Sequence, residues 1–202
     1  MSYVGGVVSA QPELLDAFIA AACGGTGGSS KATLRGIADV YLEPVHMEAL
    51  VQENGAARLG EADFCLLLVQ FLDVMTLDRI RELVRSLPSQ ATHAMHVLIC
   101  RKAGDTDYKI SCTKCGQKLL VRDAMAMRRV RCPHCQDFFQ VPGQVDLIRA
   151  ELLLPANRLV RKVILGDAES CRQALESVIG HYRERATAAK NTTMRLDLPT
   201  DT

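Results

Sequence analysis

The chain has no tryptophan, and four tyrosines and five phenylalanines bring its aromatic content to only 4% of 202 residues. Sandwiches and barrels of many short strands draw on aromatic and β-branched side chains, so this poverty speaks against them and for helices rich in Ala and Leu. No apolar run approaches the roughly eighteen uninterrupted residues that a membrane-crossing helix needs. The opening stretch MSYVGGVVSAQPELL has neither a basic lead nor a compact apolar segment. The expectation is therefore a cytoplasmic protein with no secretory leader and no membrane insertion. Net charge is missing too: 24 Lys and Arg face 23 Asp and Glu, for +1 overall. An undifferentiated polyanion binder is thereby excluded, and a nucleic-acid role requires local asymmetry. With 48% hydrophobic and 23% charged residues, wholesale disorder is excluded as well.

Local asymmetry is present. Residues 101–141 hold nine basic side chains (Arg101, Lys102, Lys109, Lys114, Lys118, Arg122, Arg128, Arg129, Arg131) against Asp105, Asp107, Asp123 and Asp137, an excess of five. Residues 1–100 carry five more acids than bases, so a basic middle sits on an acidic body.

Outside that middle the reading is helical. Pro12–Cys23 starts with Pro near its first turn and is broken by GGTGGSS at residues 24–30. Leu34–Val40, Pro44–Glu53, Ala62–Phe71 and Thr76–Ser86 have helical spacing, and Pro88 stops the last. Val97–Cys100 is a short apolar run that suits a strand. Val145–Leu154, Asn157–Leu165 and Ala168–Arg185 read as three further helices, followed by a polar tail. A capping residue with apolar positions four, seven and eight on recurs at Glu43/Met47/Leu50/Val51, Thr76/Ile80/Leu83/Val84 and Asp167/Cys171/Ala174/Leu175. Amphipathic helices in general produce such spacing.

Residues 66–84, LLLVQFLDVMTLDRIRELV, resemble the helical unit in N-terminal domains of type II secretion and type IV pilus ATPases. Some of those domains bind a cyclic dinucleotide through Arg-Leu-Gly and spaced leucines. Arg58-Leu59-Gly60 matches the triplet, while Asp63 stands where the pattern has Leu. The resemblance implies a small helical adaptor domain and makes Arg58–Gly60 a candidate nucleotide contact.

Eight cysteines raise a question of chemistry. Cys23, Cys65, Cys100 and Cys171 are scattered, mostly among apolar neighbours, and read as small buried hydrophobes. The other four form C-x2-C, sixteen residues, C-x2-C: Cys112, Cys115, Cys132 and Cys135. Two cysteines three apart can point both sulfurs at one ion from a tight turn whose N–H groups face the sulfurs, and two such turns complete a tetrahedron. Gly116 suits the left-handed residue that closes the first turn, and Pro133 fits the second. Short β-prone runs at Lys109–Ser111, Lys118–Val121, Val130–Arg131 and Asp137–Val141 flank the turns. Phe139 and Val141 share a face, which turns Phe138 outward.

With these residues in place, the segment resembles the zinc ribbon, in particular a short bacterial type whose second half reads R-x-R-C-P-x-C-x-x-x-F-x-V: here Arg129, Arg131, Cys132, Pro133, Cys135, Phe139 and Val141. The resemblance implies a structural zinc ion, with no open coordination position for catalysis. Iron can occupy the same four sulfurs.

Other signals are declined. GGTGGSSKAT lacks the Gly-Lys-Ser/Thr of a phosphate loop and follows a helix rather than a strand. His93, His96 and Cys100 lack a fourth ligand, and no nucleophile–base pair or cofactor fingerprint is evident. The expected fold is mainly α with a small β zinc ribbon inserted, α+β overall. Its parts are a helical domain at 1–96, the ribbon at 97–143, a helical segment at 144–186 packing on the first, and a flexible tail at 187–202. The expected function is a non-enzymatic adaptor that binds a protein partner. The rivals are nucleic-acid binding by Lys114, Lys118, Arg122, Arg128, Arg129 and Arg131, and cyclic-dinucleotide sensing at Arg58–Gly60.

Overall fold

Phe64-Cys-Leu-Leu-Leu-Val is buried at every position, which marks a strand covered on both faces. It lies at the centre of a six-stranded sheet in a computed structural model that describes residues 2–24, 31–34, 38–46, 50, 53–70 and 74–196. The strands of that sheet are β1 (Ser2–Ser9), β2 (Lys31–Leu34), β3 (Ala38–His46), β4 (Phe64–Val69), β5 (Met95–Arg101) and β10 (Val160–Ile164). Their spatial order is β10-β5-β4-β1-β3-β2, all parallel except β2, which pairs antiparallel with β3. Counted along the chain, the five parallel strands stand in the order 2-1-3-4-5, one of the two common doubly wound arrangements.

Helices cover both faces. α1 (Pro12–Cys23) and α6 (Ala168–Leu196) pack on one side, where Phe18, Leu175 and Val178 meet Val7, Leu66, Leu68 and Leu98. α2 (Glu53–Glu61), α3 (Val74–Ser86), α4 (Ser89–His93) and α5 (Gln144–Glu151) supply the other side, where Leu59, Ile80, Leu83 and Ile148 meet Val8, Cys65, Leu67 and Val97. The alternation of Leu66 and Leu68 with Cys65 and Leu67 between the two layers is the strand period itself. Gly5 and Gly6 of β1 make close packing workable. A Cβ at Gly5 would lie 2.3 Å from the Phe64 ring, and one at Gly6 2.3 Å from a Leu59 methyl.

The mainly α expectation is overturned: this is an α/β protein. Ala62–Phe71 and Asn157–Leu165, read as helical, contain β4 and β10, and Leu34 and Val40 belong to β2 and β3. The reason is physical. A parallel strand buried on both faces is an unbroken apolar run, and a run of six carries no period to separate it from a helix. In β10 the buried residues Val160 and Val163 are three apart, which mimics a helical stripe. Low aromatic content argued against antiparallel architectures but not against a parallel sheet built from Val and Leu. Pro12–Cys23 and Thr76–Ser86 are helical as expected, and Val97–Cys100 is strand. In the segment likened to secretion and pilus ATPase domains, residues 66–69 are strand rather than helix. Residues 25–30 of the glycine-rich linker, Met47 and Val51 of the repeat, and residues 197–202 of the tail lie outside the described residues.

Between β5 and α5 the chain leaves the sheet's carboxyl edge for two short antiparallel hairpins. These are β6 (Asp107–Ser111) with β7 (Lys118–Arg122), and β8 (Arg129–Arg131) with β9 (Phe138–Gln140). This is the four-cysteine module. Its root is tied to the body by Asp123, whose carboxylate receives Arg101 of β5 at 2.7 Å and Lys162 of β10 at 2.6 Å. Burial alone would raise the Asp123 carboxyl, but the two cations outweigh it and hold it below its ordinary value. The buried Tyr108 donates its hydroxyl to Pro142 O at 2.7 Å, and Leu147 of α5 packs on the module's apolar cluster.

Candidate metal centre

The two cysteine turns have the same backbone. Gly116 N–H donates to Cys112 O at 2.9 Å and Cys112 N–H to Gln117 O at 2.9 Å; Gln136 N–H donates to Cys132 O at 3.0 Å and Cys132 N–H to Asp137 O at 2.8 Å. Each turn closes on a left-handed residue, Gly116 at φ 72° and Gln136 at φ 64°. Glycine adopts that conformation freely. At Gln136 it is a mild strain, offset locally because its side-chain amide donates to Pro133 O at 3.0 Å and its carbonyl accepts from Arg131 Nε at 2.9 Å.

The hairpins bring all four sulfurs within 4.8 Å of one another. Cys112 Sγ lies 3.9 Å from Cys135 Sγ, and Cys115 Sγ 3.8 Å from Cys132 Sγ. A tetrahedron with metal–sulfur bonds of about 2.3 Å has edges of about 3.8 Å, so these two separations match opposite edges of such a site. Four cysteines here can hold a metal.

Electrostatics agree with the geometry. The N–H groups of Cys115 and Lys114 draw the Cys112 thiol below its ordinary value, as hydrogen bonds to a developing thiolate do. At Cys135 the Asp137 N–H acts in the same direction, but burial and the three neighbouring sulfurs outweigh it and drive the thiol up. Four like charges cannot gather at this spacing unaided, and a divalent cation is the chemistry that resolves the conflict.

The remaining candidates are brought together only in part: Lys118 and Arg131 line one groove, and Arg129 and Arg131 share the Phe138 ring. Lys114, Lys118, Arg122, Arg128, Arg129 and Arg131 are all exposed and spread over both hairpins. Phe139 is buried, while Phe138 faces outward beneath the guanidinium groups of Arg129 and Arg131 at 5.3 and 5.8 Å. Arg58 is engaged by Glu43 at 3.1 Å, and Leu59 is buried against β1. His96 packs edge-on against His181, and Cys100 is buried in β5, well placed for packing rather than metal binding.

Doubly wound folds bind ligands in the crevice at the carboxyl ends of their strands. Among the described residues that edge offers Ser9, which bonds Leu68 O, and a cavity of about 30 Å³ beside Gln70, Arg101, Asp105, Asp107 and Gln144. That is the room of about one water molecule. Sequence reasoning missed a larger feature, a groove of about 630 Å³ on the ribbon lined by Leu119, Leu120, Met125 and Val130 among others. Its signal was Leu120, an apolar residue on the outward side of a strand whose alternation calls for a polar one. Neither a family model nor any curated protein matches this chain.

Proposed function

We propose that this chain is a non-enzymatic binding module, an α/β body that carries a structural zinc ribbon as a recognition arm for a protein partner. The observation that supports it is the closed shell of four cysteine sulfurs at tetrahedral spacing. An all-sulfur set of four favours zinc in a structural role, because every coordination position is filled by protein and none is left for a substrate. The ribbon projects from the edge at which such folds place their functional loops, and its root is fixed by Arg101, Asp123 and Lys162. The metal's task is to hold an exposed basic and apolar surface in one shape.

Elemental analysis of the purified full-length chain is expected to find about one zinc per chain, lost in Cys115→Ser. As bait in native-cell extract, the metal-loaded chain retains a protein partner that the Cys115→Ser chain does not. A metal-free preparation, or a metal-loaded chain that retains only nucleic acid, defeats the reading.

A further inference from the structure

The hairpin β6–β7 contains two strands, so among the described residues β7 has one edge with no strand beside it. The pairing fixes which backbone groups lie there. Cys112 N–H bonds Gln117 O and Asp123 N–H bonds Thr106 O, so residues 117, 119, 121 and 123 face β6. The N–H and C=O groups of Lys118, Leu120 and Arg122 therefore point away from it. By the same count, with Cys132 N–H on Asp137 O and Val141 N–H on Arg128 O, those of Arg129 and Arg131 point away from β9. The groove of about 630 Å³ runs along β7 and reaches Val130 and Arg131 of β8. Its lining is aliphatic at Leu119, Leu120 and Val130, with Met125 as an adaptable filler. Lys118, Arg131 and His134 also line it, and no acidic residue does. Leu120 is 66% exposed, an unusual placement for leucine on a strand flanked by Lys118 and Arg122.

From these features we infer that the groove receives an extended acidic peptide of a partner protein, added as a strand to the free edge of β7. The main chain of such a peptide satisfies the outward amides of Lys118, Leu120 and Arg122 and the carbonyls of Leu120 and Arg122, the Lys118 carbonyl already accepting Gln117 Nε2 at 3.3 Å. Alternate apolar side chains lie on Leu119, Leu120, Met125 and Val130, and carboxylates meet Lys118, Arg122 and Arg131. A nucleic acid fits less well. A strand edge presents carbonyls as well as amides, and the carbonyls repel phosphate. The ribbon's exposed ring, Phe138, is outside the groove and already shared by two guanidinium groups, so the groove offers no platform for bases. This inference rests on the adaptor reading and names the chemistry of the partner.

The test is selection of a random dodecapeptide library on the zinc-loaded full chain at about 0.15 M salt, where weak surface electrostatics are screened. Enriched peptides are expected to be net acidic, with apolar residues at alternate positions, and to shift the amide resonances of Lys118, Leu120 and Arg122. Lys118→Glu with Arg122→Glu should weaken the selected peptides by about tenfold or more while zinc content and the amide spectrum of the body stay unchanged. Leu120→Asp, on the exposed side of β7, should do the same. Enrichment without acidic bias, no enrichment, resonance shifts elsewhere, or displacement of the peptides by a single-stranded oligonucleotide at that salt overturns the proposal. If the groove proposal alone fails, the unmutated chain still carries its metal and still retains a partner from extract, so that failure is distinguishable from failure of the adaptor reading itself.

Discussion

Among the described residues, two apolar layers of 21 and 18 buried residues hold the doubly wound body, whereas the ribbon's own cluster has seven, two of them cysteines. The body can fold on hydrophobic burial alone. The ribbon cannot, because a cluster of that size returns too little to offset the ordering of some forty residues. The largest expected effect follows directly. Cys132→Ser, or metal removal by a chelator, should unfold residues 107–141 while the sheet and its helices persist. Structural zinc in small fingers contributes on the order of 10–16 kcal/mol of apparent binding free energy, far more than the ribbon's apolar contacts can replace. Amide spectra of the metal-free chain check it. Dispersed ribbon resonances without metal, or collapse of the body with the ribbon, would remove the distinction between the two regions.

The converse experiment perturbs the body. Leu67 is fully buried between β1 and β5 neighbours, and Leu67→Ala should cost about 2–5 kcal/mol in urea unfolding followed by circular dichroism. Metal affinity should be unchanged, since Leu67 belongs to the body's cluster and not, among the described residues, to the ribbon's. An equal loss of zinc affinity would make body and ribbon one cooperative unit.

The same contrast governs what could be read from the sequence. The ribbon's chemistry is local: C-x2-C spacing, Gly116 after Cys115, Pro133 in the second turn, and Phe139 in register with Val141 each constrain a few neighbouring residues. The clustering of the four sulfurs follows from them. The sheet is specified non-locally. Ser2–Ser9 (SYVGGVVS) contains two glycines that look like breakers, and only contact with Phe64 and Leu59 explains why they are there. Phe64–Val69 and Val160–Ile164 could not be told from helices without knowing that helices cover both faces. The groove was unread for a related reason: Leu120 acquires meaning only once β7 is known to have an unpaired edge.

A third prediction separates the regions by pH. His96 of β5 is buried against His181 of α6, with Arg158 and Arg185 nearby, and its Nδ1 has no hydrogen-bond partner among the described residues. Burial foremost, then these positive groups, lowers it from 6.5 to about 3. The folded protein therefore keeps His96 neutral while the unfolded chain takes up a proton. Stability should begin to fall as the pH drops below about 6.5 and reach a deficit of about 2 kcal/mol near pH 5. His96→Leu removes the titrating group, and its stability should be nearly flat over that range apart from the other histidines. An unchanged slope in His96→Leu rejects this assignment. The body would then lack the acid response that distinguishes it from the joint described next.

The smallest effect lies at that joint. Asp123 joins the ribbon root to Arg101 and Lys162, and its folded carboxyl is held below the ordinary value of 3.8. A depressed carboxyl stabilises at every pH above its unfolded value and loses that contribution only as the pH falls through the still lower folded one. At the pH where His96 already weakens the body, the Asp123 joint is intact. Asp123→Asn at neutral pH should cost about 1–2 kcal/mol, modest because Lys162 keeps access to water, and mostly the penalty of leaving Arg101 without its counter-charge. Neither sulfur geometry nor sheet packing involves Asp123, so zinc affinity and the body's urea transition should hold. The loss should appear as faster hydrogen exchange at the Asp123 amide, which bonds Thr106 O at 2.7 Å, and as broader orientation of the ribbon in residual dipolar couplings. If exchange there is unchanged in Asp123→Asn, Tyr108 and Leu147 alone fix the ribbon, and the ion pairs are incidental to how the arm is held.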